Sequence, residues 1–305
     1  MKKVGILYDT KVGFNRKKPF IGRVYNADYL SLLKAGQKHD IIFYLAPYTA
    51  YKNRSFTKSW IYTDKWVKIN KPIKLDAVFD KIDGDVGMPL KKKIDKELPL
   101  VNRYALDLIF TDKWLTYKLC PQFSSKTVLG PEINKAKKFN SDLIVAKPRF
   151  GSSGVGIEFV KRDKLKKFPK SYILQEFIEG GKMFHATGQH DFRVYMCDGQ
   201  IVFSTLRTPF KKKYLCNVGQ GGRERFYWPP LDIPQSMVNI IKTIDKLFKK
   251  YDHRFYSIDF MMSKQGKPIV LELNSRPGLT HFYDKDVKNV VDEYVCRMFE
   301  RLLIK

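Results

Sequence analysis

The chain has 305 residues, 44% of them hydrophobic and 29% charged, which allows a sizeable core and two or three domains. No apolar run approaches the ~18 residues that a membrane helix needs, so no membrane partner is expected. The formal net charge of +26 would attract polyanions, yet the lysines (Lys17-Lys18, Lys91 to Lys93, Lys137-Lys138, Lys211 to Lys213) are dispersed along the chain, and a nucleic-acid partner is not expected. Four cysteines (Cys120, Cys197, Cys216, Cys296) stand far apart with no CxxC, and they read as reduced thiols in a cytoplasmic protein.

The basic-then-apolar start "MKKVGILYDT" is too short for a secretory signal and is broken by Asp9, so residues 3–8 are predicted as a buried strand. Tyr29, Leu32 and Leu33 follow with helical spacing, and Gly36 reads as the helix stop. Apolar strands are predicted at 41–46 and 75–83. Strands alternating with a helix imply a small α/β domain with a parallel sheet. The aromatic and basic stretch from Pro47 to Pro72 yields no assignment.

Asp112, just before an apolar-periodic run, marks a helix start in "TDKWLTYKLC". Strands are expected at 143–148, 155–160 and 172–177. Alternation around Asp198-Gly199 predicts a β-hairpin over 191–208. A long helix follows Pro234, a second hairpin spans 255–275, and a helix over 284–303 closes the chain.

Between the strands at 143–148 and 155–160 lies Gly151-Ser-Ser-Gly-Val-Gly156. It lacks the GxxxxGK[ST] spacing of a P-loop, and no helix follows it as a dinucleotide fingerprint requires. It is a strand-to-strand flap whose backbone N–H groups could approach an anion. Lys147 ends the preceding apolar strand and needs an anion or a route to solvent.

The hairpin "YSIDFMMSKQGKPIVLELNS" carries a second signal. A tight Gln265-Gly266 turn would set Asp259 opposite Glu272, with Asn274 on the same face. Opposed carboxylates repel, so a cation should lie between them. Two carboxylates and an amide suit Mg²⁺. The alternative is neutralisation by a side chain, for which Arg276 is the candidate.

Taken in order, Lys147, the flap, "LQEFIEG", "DFR" and "LELNSRPG" resemble the ATP-grasp superfamily, in particular its RimK-like and glutathione-synthetase-like carboxylate–amine ligases. The likeness covers roughly residues 102–280. It implies an N-terminal α/β domain with a parallel sheet (1–110), then an α+β ATP-grasp fold of two subdomains (111–180, holding the flap, and 181–305, holding the metal site).

Carried over by position, the resemblance makes Lys113 and Lys147 phosphate-contacting lysines. Gly151, Ser152, Ser153, Gly154 and Gly156 become a lid over ATP, and Glu176, Phe177 and Ile178 the strand whose backbone meets adenine. Asp191, with Glu179 as competitor, would bind or order the ribose. Arg193, on the same strand face as Asp191, and Arg207 would meet phosphate or the acyl phosphate. Asn217, in "NVGQGG", would lie near the γ-phosphate, and Asp259, Glu272 and Asn274 would hold Mg²⁺, with Mn²⁺ a substitute.

The implied reaction joins a carboxylate to an amine through an acyl phosphate, with Lys147, Arg193 and Arg207 as catalytic groups. The basic segment 207–225 suggests an acidic amino acid or peptide as substrate, and a homodimer is an expected assembly. The alternatives are an ATP-grasp kinase acting on a small polar acceptor and a basic nucleic-acid-binding protein with a degenerate nucleotide site. Arg276 stands where similar enzymes carry small or polar residues. His185 and His190 are expected in a surface loop.

Overall fold

The structure, a computed structural model, describes residues 1–82, 88–151, 154–210, 214–218, 221–227, 233–279 and 285–304. Strand Lys2–Tyr8 pairs in parallel with Ile41–Pro47 on one side and with Ala77–Asp80 on the other, and Leu100–Val101 adds a fourth parallel strand. The stretch left unassigned by sequence folds over the sheet edge. Its strands Ser59–Tyr62 and Trp66–Ile69 form a hairpin that joins antiparallel through Leu45 and Trp60.

Helix Arg23–Lys38 covers one face with Tyr29, Leu32 and Leu33. It does not stop at Gly36. That glycine lies inside the helix, and a Cβ there would come within 2.6 Å of the Phe43 ring, so it permits close packing on the sheet. The final helix Lys285–Leu303 returns to this same domain, where Phe299 packs edge-on against Phe43 and Phe79. Among the described residues no helix is long and apolar enough to cross a membrane.

Two antiparallel sheets of four and five strands follow, with a two-stranded ribbon of Lys182–Met183 and Ala186–Thr187 between them in the chain. The smaller orders Thr127–Leu129, Tyr172–Glu176, Leu143–Pro148 and Glu158–Lys161 over a small core of Ala136, Phe139, Ile144, Leu165 and Phe168. The larger orders Arg223–Tyr227, Gln200–Thr208, Asp191–Cys197, Phe255–Met262 and Pro268–Asn274. Helix Gln235–Phe248 covers one of its faces, burying Phe192, Val194, Met196, Tyr256, Ile258 and Phe260. Because strand side chains alternate, the intervening residues line the opposite face. There Tyr195, Cys197 and Phe255 join the core shared with the first domain, and one or two positions further along each strand that same face carries Arg193, Asp191 and Asp259.

Two bulges decide which side chains reach this face. The hairpin at 255–275 does not have the two-residue Gln265-Gly266 turn. Its loop is three residues, closed by Ser263 N–H to Lys267 O at 2.9 Å with Gly266 at φ +75°. Continued from that loop, Asp259 would face Leu271, and Glu272 would point into the core. A shift between Asp259 and Phe260 makes Leu271 the extra residue and restores the Asp259–Glu272 pairing. In the other hairpin the turn is tight as expected, with Asp198 and Gly199 at φ +47° and +84°. A shift beside Tyr195 skips Val202, which sets Arg207, instead of Leu206, opposite Asp191.

Candidate active site

These registers build a ladder of alternating charge. Arg193 opposes Asp259 across one strand pair, and Asp191 opposes Arg207 across the next. Arg193 grips Asp259 with two bonds, Nε to Oδ1 at 2.7 Å and Nη2 to Oδ2 at 2.6 Å. Arg207 Nη2 donates to Asp259 Oδ2 at 2.9 Å and also to Asp191. Asn274 Nδ2 donates to Asp259 Oδ2 at 3.3 Å.

Asp259 and Arg207 are buried. Burial alone would raise the Asp259 pKa, but the charges of Arg193 and Arg207 outweigh it and hold the carboxyl below its usual range. Asp191 goes the other way. Burial and the neighbouring Asp259 charge push it up against the pull of Arg207. Side chains do neutralise Asp259, as the alternative to a cation had it, but Arg276, the candidate for that role, is not among them. Arg276 turns to Asp107 and Asp80, and Arg193 and Arg207 do that work instead.

Facing the ladder are two lysines. Asp112 caps helix Lys113–Leu119 by accepting from Trp114 N and receives both arms of Arg149, which ties the helix start to the root of the flap. Lys113 Nζ then donates to Gly151 O at 2.7 Å and lies 3.5 Å from Glu272 Oε1. Lys147 Nζ donates to Gln175 Oε1 at 2.6 Å, and Gln175 in turn donates to Thr127 Oγ1. Burial pushes the Lys147 ammonium down to about 8, since the nearby Glu272, Asp191 and Asp259 only partly offset the lost solvent and the Lys113 charge. An anion placed beside Lys147 would favour its charged form.

Between ladder and lysines lies a cleft bordered by Lys113, Lys147, Gly151, Gly154, Glu176, Phe177, Ile178, Asp191, Asn217, Asp259 and Glu272. Ser152 and Ser153 lie outside the described residues, as do Lys211 to Lys213 and the Gly219-Gln220 part of "NVGQGG". The strand predicted from residue 155 begins at Glu158, which lengthens the flap. Gly154 and Gly156 both sit at φ +74°, and a Cβ on Gly154 would meet Asn217 Oδ1 at 2.8 Å. The flap therefore closes onto the 214–218 segment.

Glu176 borders the cleft, and its carboxylate accepts from the backbone of Asn140 and Ser141, which anchors the strand whose backbone was expected to meet adenine. Glu179, the competing choice for the ribose, is exposed and paired with Lys264 at 3.2 Å. His185 is exposed as expected. His190 is not. It is fully buried, accepts from Met262 N–H through Nε2 and bonds Gly188 O through Nδ1, tying the loop before Asp191 to the acidic hairpin.

Other cleft residues escaped sequence reasoning. Tyr214 packs against Phe159 and Phe177 at 4.8 and 5.1 Å, and Met261 and Leu271 line the cleft with them, giving an apolar wall suited to a flat base. Gln175 carried a faint sequence signal as a lone amide inside an apolar strand.

A family model for the ATP-grasp domain matches residues 110–280, more than half the chain. The chain belongs to the ATP-grasp family. The matched span holds every charged residue of the ladder and both lysines of the cleft. An uncharacterised protein of Mycoplasma pneumoniae is 25% identical over 59% of this chain and 59% of its own. A D-alanine–D-alanine ligase of Pelotomaculum thermopropionicum is 25% identical over 59% of this chain and 61% of its own. The chain thus spans about three fifths of the length of these two relatives. The crystal structure of the VanG D-Ala:D-Ser ligase from Enterococcus faecalis superposes with a TM-score of 0.64 at 14% identity, covering 98% of each chain, which extends the shared ATP-grasp fold through the N-terminal α/β domain.

Proposed function

We propose that this protein is an ATP-dependent carboxylate–amine ligase that uses Mg²⁺. The observation that carries the reading is the ladder of Asp191, Arg207, Arg193, Asp259 and Glu272 set across a cleft from Lys113 and Lys147 under a glycine flap. Lys113 and Lys147 offer the cleft cations for a polyanion, and Asp259 and Glu272 offer carboxylates for the counter-cation that a polyanion brings.

Glu272, paired with Lys113 at 3.5 Å, is the acid most open to such a cation, because both oxygens of Asp259 already accept from arginines. Among the described residues no three His, Cys, Asp or Glu side chains cluster for a metal, so the ligand set rests on Asp259, Glu272 and the amide oxygen of Asn274. All are hard oxygen donors. Bound there with ATP, Mg²⁺ would neutralise phosphate charge.

The chain's own groups supply positioning and electrostatics. Lys113 and Lys147 hold the phosphates, and the flap excludes water. A substrate carboxylate oxygen attacks the γ-phosphorus and ADP leaves. Arg193 and Arg207, pre-set by their carboxylate partners, stabilise the charge on the acyl phosphate. An amine nitrogen then attacks the acyl carbon, phosphate departs, and the nitrogen loses its proton. Asp191 keeps Arg207 in place in this scheme.

The test is release of inorganic phosphate from ATP with Mg²⁺ across a matrix of carboxylic acids and amines. Release that depends on both an acid and an amine supports the ligase. ADP formation without free phosphate would replace it with a kinase.

A further inference from the structure

A second cavity of about 220 Å³ is lined by Glu272 and Asn274 and adjoins the nucleotide cleft. Its wall includes Tyr8, Asp28 and Lys81 from the first domain and Arg193, Arg207 and Arg276 from beyond it. Glu272 and Asn217 border both spaces, so a group bound in the second cavity faces the phosphates across them. On the ligase reading, on which this inference rests, that is where the acid to be activated enters.

The cations of this wall are not equivalent. Arg193 and Arg207 are held by Asp259 and Asp191. Lys81 donates to Pro277 O at 2.7 Å. Arg276 is held at one nitrogen, Nη1, which donates to Asp107 at 2.9 Å and approaches Asp80 at 3.6 Å. Those two carboxylates cannot drift. Lys91, fully buried, binds Asp80 at 2.8 Å and Asp107 at 3.1 Å, Ser275 donates to Asp107, and Ile82 N–H donates to Asp80 at 2.9 Å.

Arg276 is thus a guanidinium anchored at one corner by a buried four-charge network, with its side chain only 10% exposed and bordering the cavity. An arginine immobilised this way has little rotamer freedom left to lose, and its planar fork matches a carboxylate. Neutralising Asp80 and Asp107 accounts for the charge of Arg276. A fork placed on the cavity wall adds a capacity to read an anion there.

We infer that Arg276 is a specificity-determining residue that selects substrates bearing a second carboxylate besides the one that is activated. The test compares Asp and Glu with Asn, Gln and Ala as the carboxylic acid, read as ligand-induced stabilisation with a non-hydrolysable ATP analogue and as acid-dependent phosphate release. The wild type should favour the diacids. R276Q should lose that preference by roughly ten- to hundredfold, as expected for one charge-assisted bond.

R276K keeps the charge facing Asp80 and Asp107 but lacks the fork. It should retain the fold with a reduced diacid preference, and it serves if R276Q does not fold. An unchanged diacid-to-neutral ratio in the variant that folds, or an equal loss on all five acids, would overturn the inference. Because the stabilisation readout needs no turnover, failure of the ligase reading, seen as phosphate release indifferent to any amine, stays separate from failure of the Arg276 assignment.

Discussion

Arg193 holds both oxygens of Asp259, its partner across the strand pair, while Glu272 on the other side of Asp259 forms, among the described residues, a single ion pair, with Lys113 at 3.5 Å. The two acids therefore differ in what they do for the fold. D259N would leave the buried Arg207 and the half-buried Arg193 without their shared counter-charge, a loss of about 3–5 kcal/mol. Its melting temperature should fall by roughly 10 °C. E272A should shift stability by no more than about 1 kcal/mol, since its pair is part-exposed, and should abolish ATP turnover. Thermal melting beside a phosphate-release assay checks both, and full turnover in E272A would remove it from the metal set.

Lys147 should make ATP binding pH-dependent. Its pKa in the folded protein, about 8, lies below the ordinary 10.5. The unfolded chain therefore binds more protons between these values, and the free protein should gain stability as pH rises through that window. ATP phosphates favour the charged ammonium, so the KM for ATP should climb above pH ~8, by up to about tenfold per unit. In K147R the curve should be flat over the same range. A KM profile for both proteins decides it, and identical slopes would take Lys147 out of the phosphate site.

Gly154 and Gly151 separate strain from contact in the flap. Both need positive φ, at +74° and +100°, but only Gly154 has a neighbour within reach of a Cβ, Asn217. G151A should therefore cost only backbone strain of about 1–2 kcal/mol. G154A adds a clash that props the lid open, and its KM for ATP should rise at least about tenfold relative to G151A. Equal kinetics in the two variants would show that the flap does not close on residues 214–218.

His190 gives the fold an acid-sensitive joint. Burial lowers its pKa, and its Nε2 must stay unprotonated to accept from Met262 N–H. With the folded pKa depressed, the unfolded chain binds the extra proton first. The stability that His190 supplies is thus present above pH ~6.5 and declines as pH falls below it. Urea unfolding of the wild type and H190Q from about pH 7.5 to 5 should show the difference between them shrinking with acid. A constant difference would mean that His190 does not titrate in this joint.

The local sequence was sufficient for the main strands of the first sheet and of the two hairpins, the helix cap at Asp112, the turn at Asp198-Gly199 and the strand-to-strand placing of the flap, because each depends on neighbours a few residues apart, whereas the strands within 47–72 escaped it. It also brought Asp259, Glu272 and Asn274 together, although by a turn that the protein does not use. The three-residue loop and the Leu271 bulge each displace the register by one residue, and the two displacements cancel. Only the tertiary structure decided what faces those acids. Arg193 and Arg207 arrive from strands more than fifty residues earlier, Arg276 is drawn away by Asp80 and Asp107, and His190 is sealed under the hairpin. Charges choose partners by distance and burial in three dimensions, and neither quantity is written in their spacing along the chain.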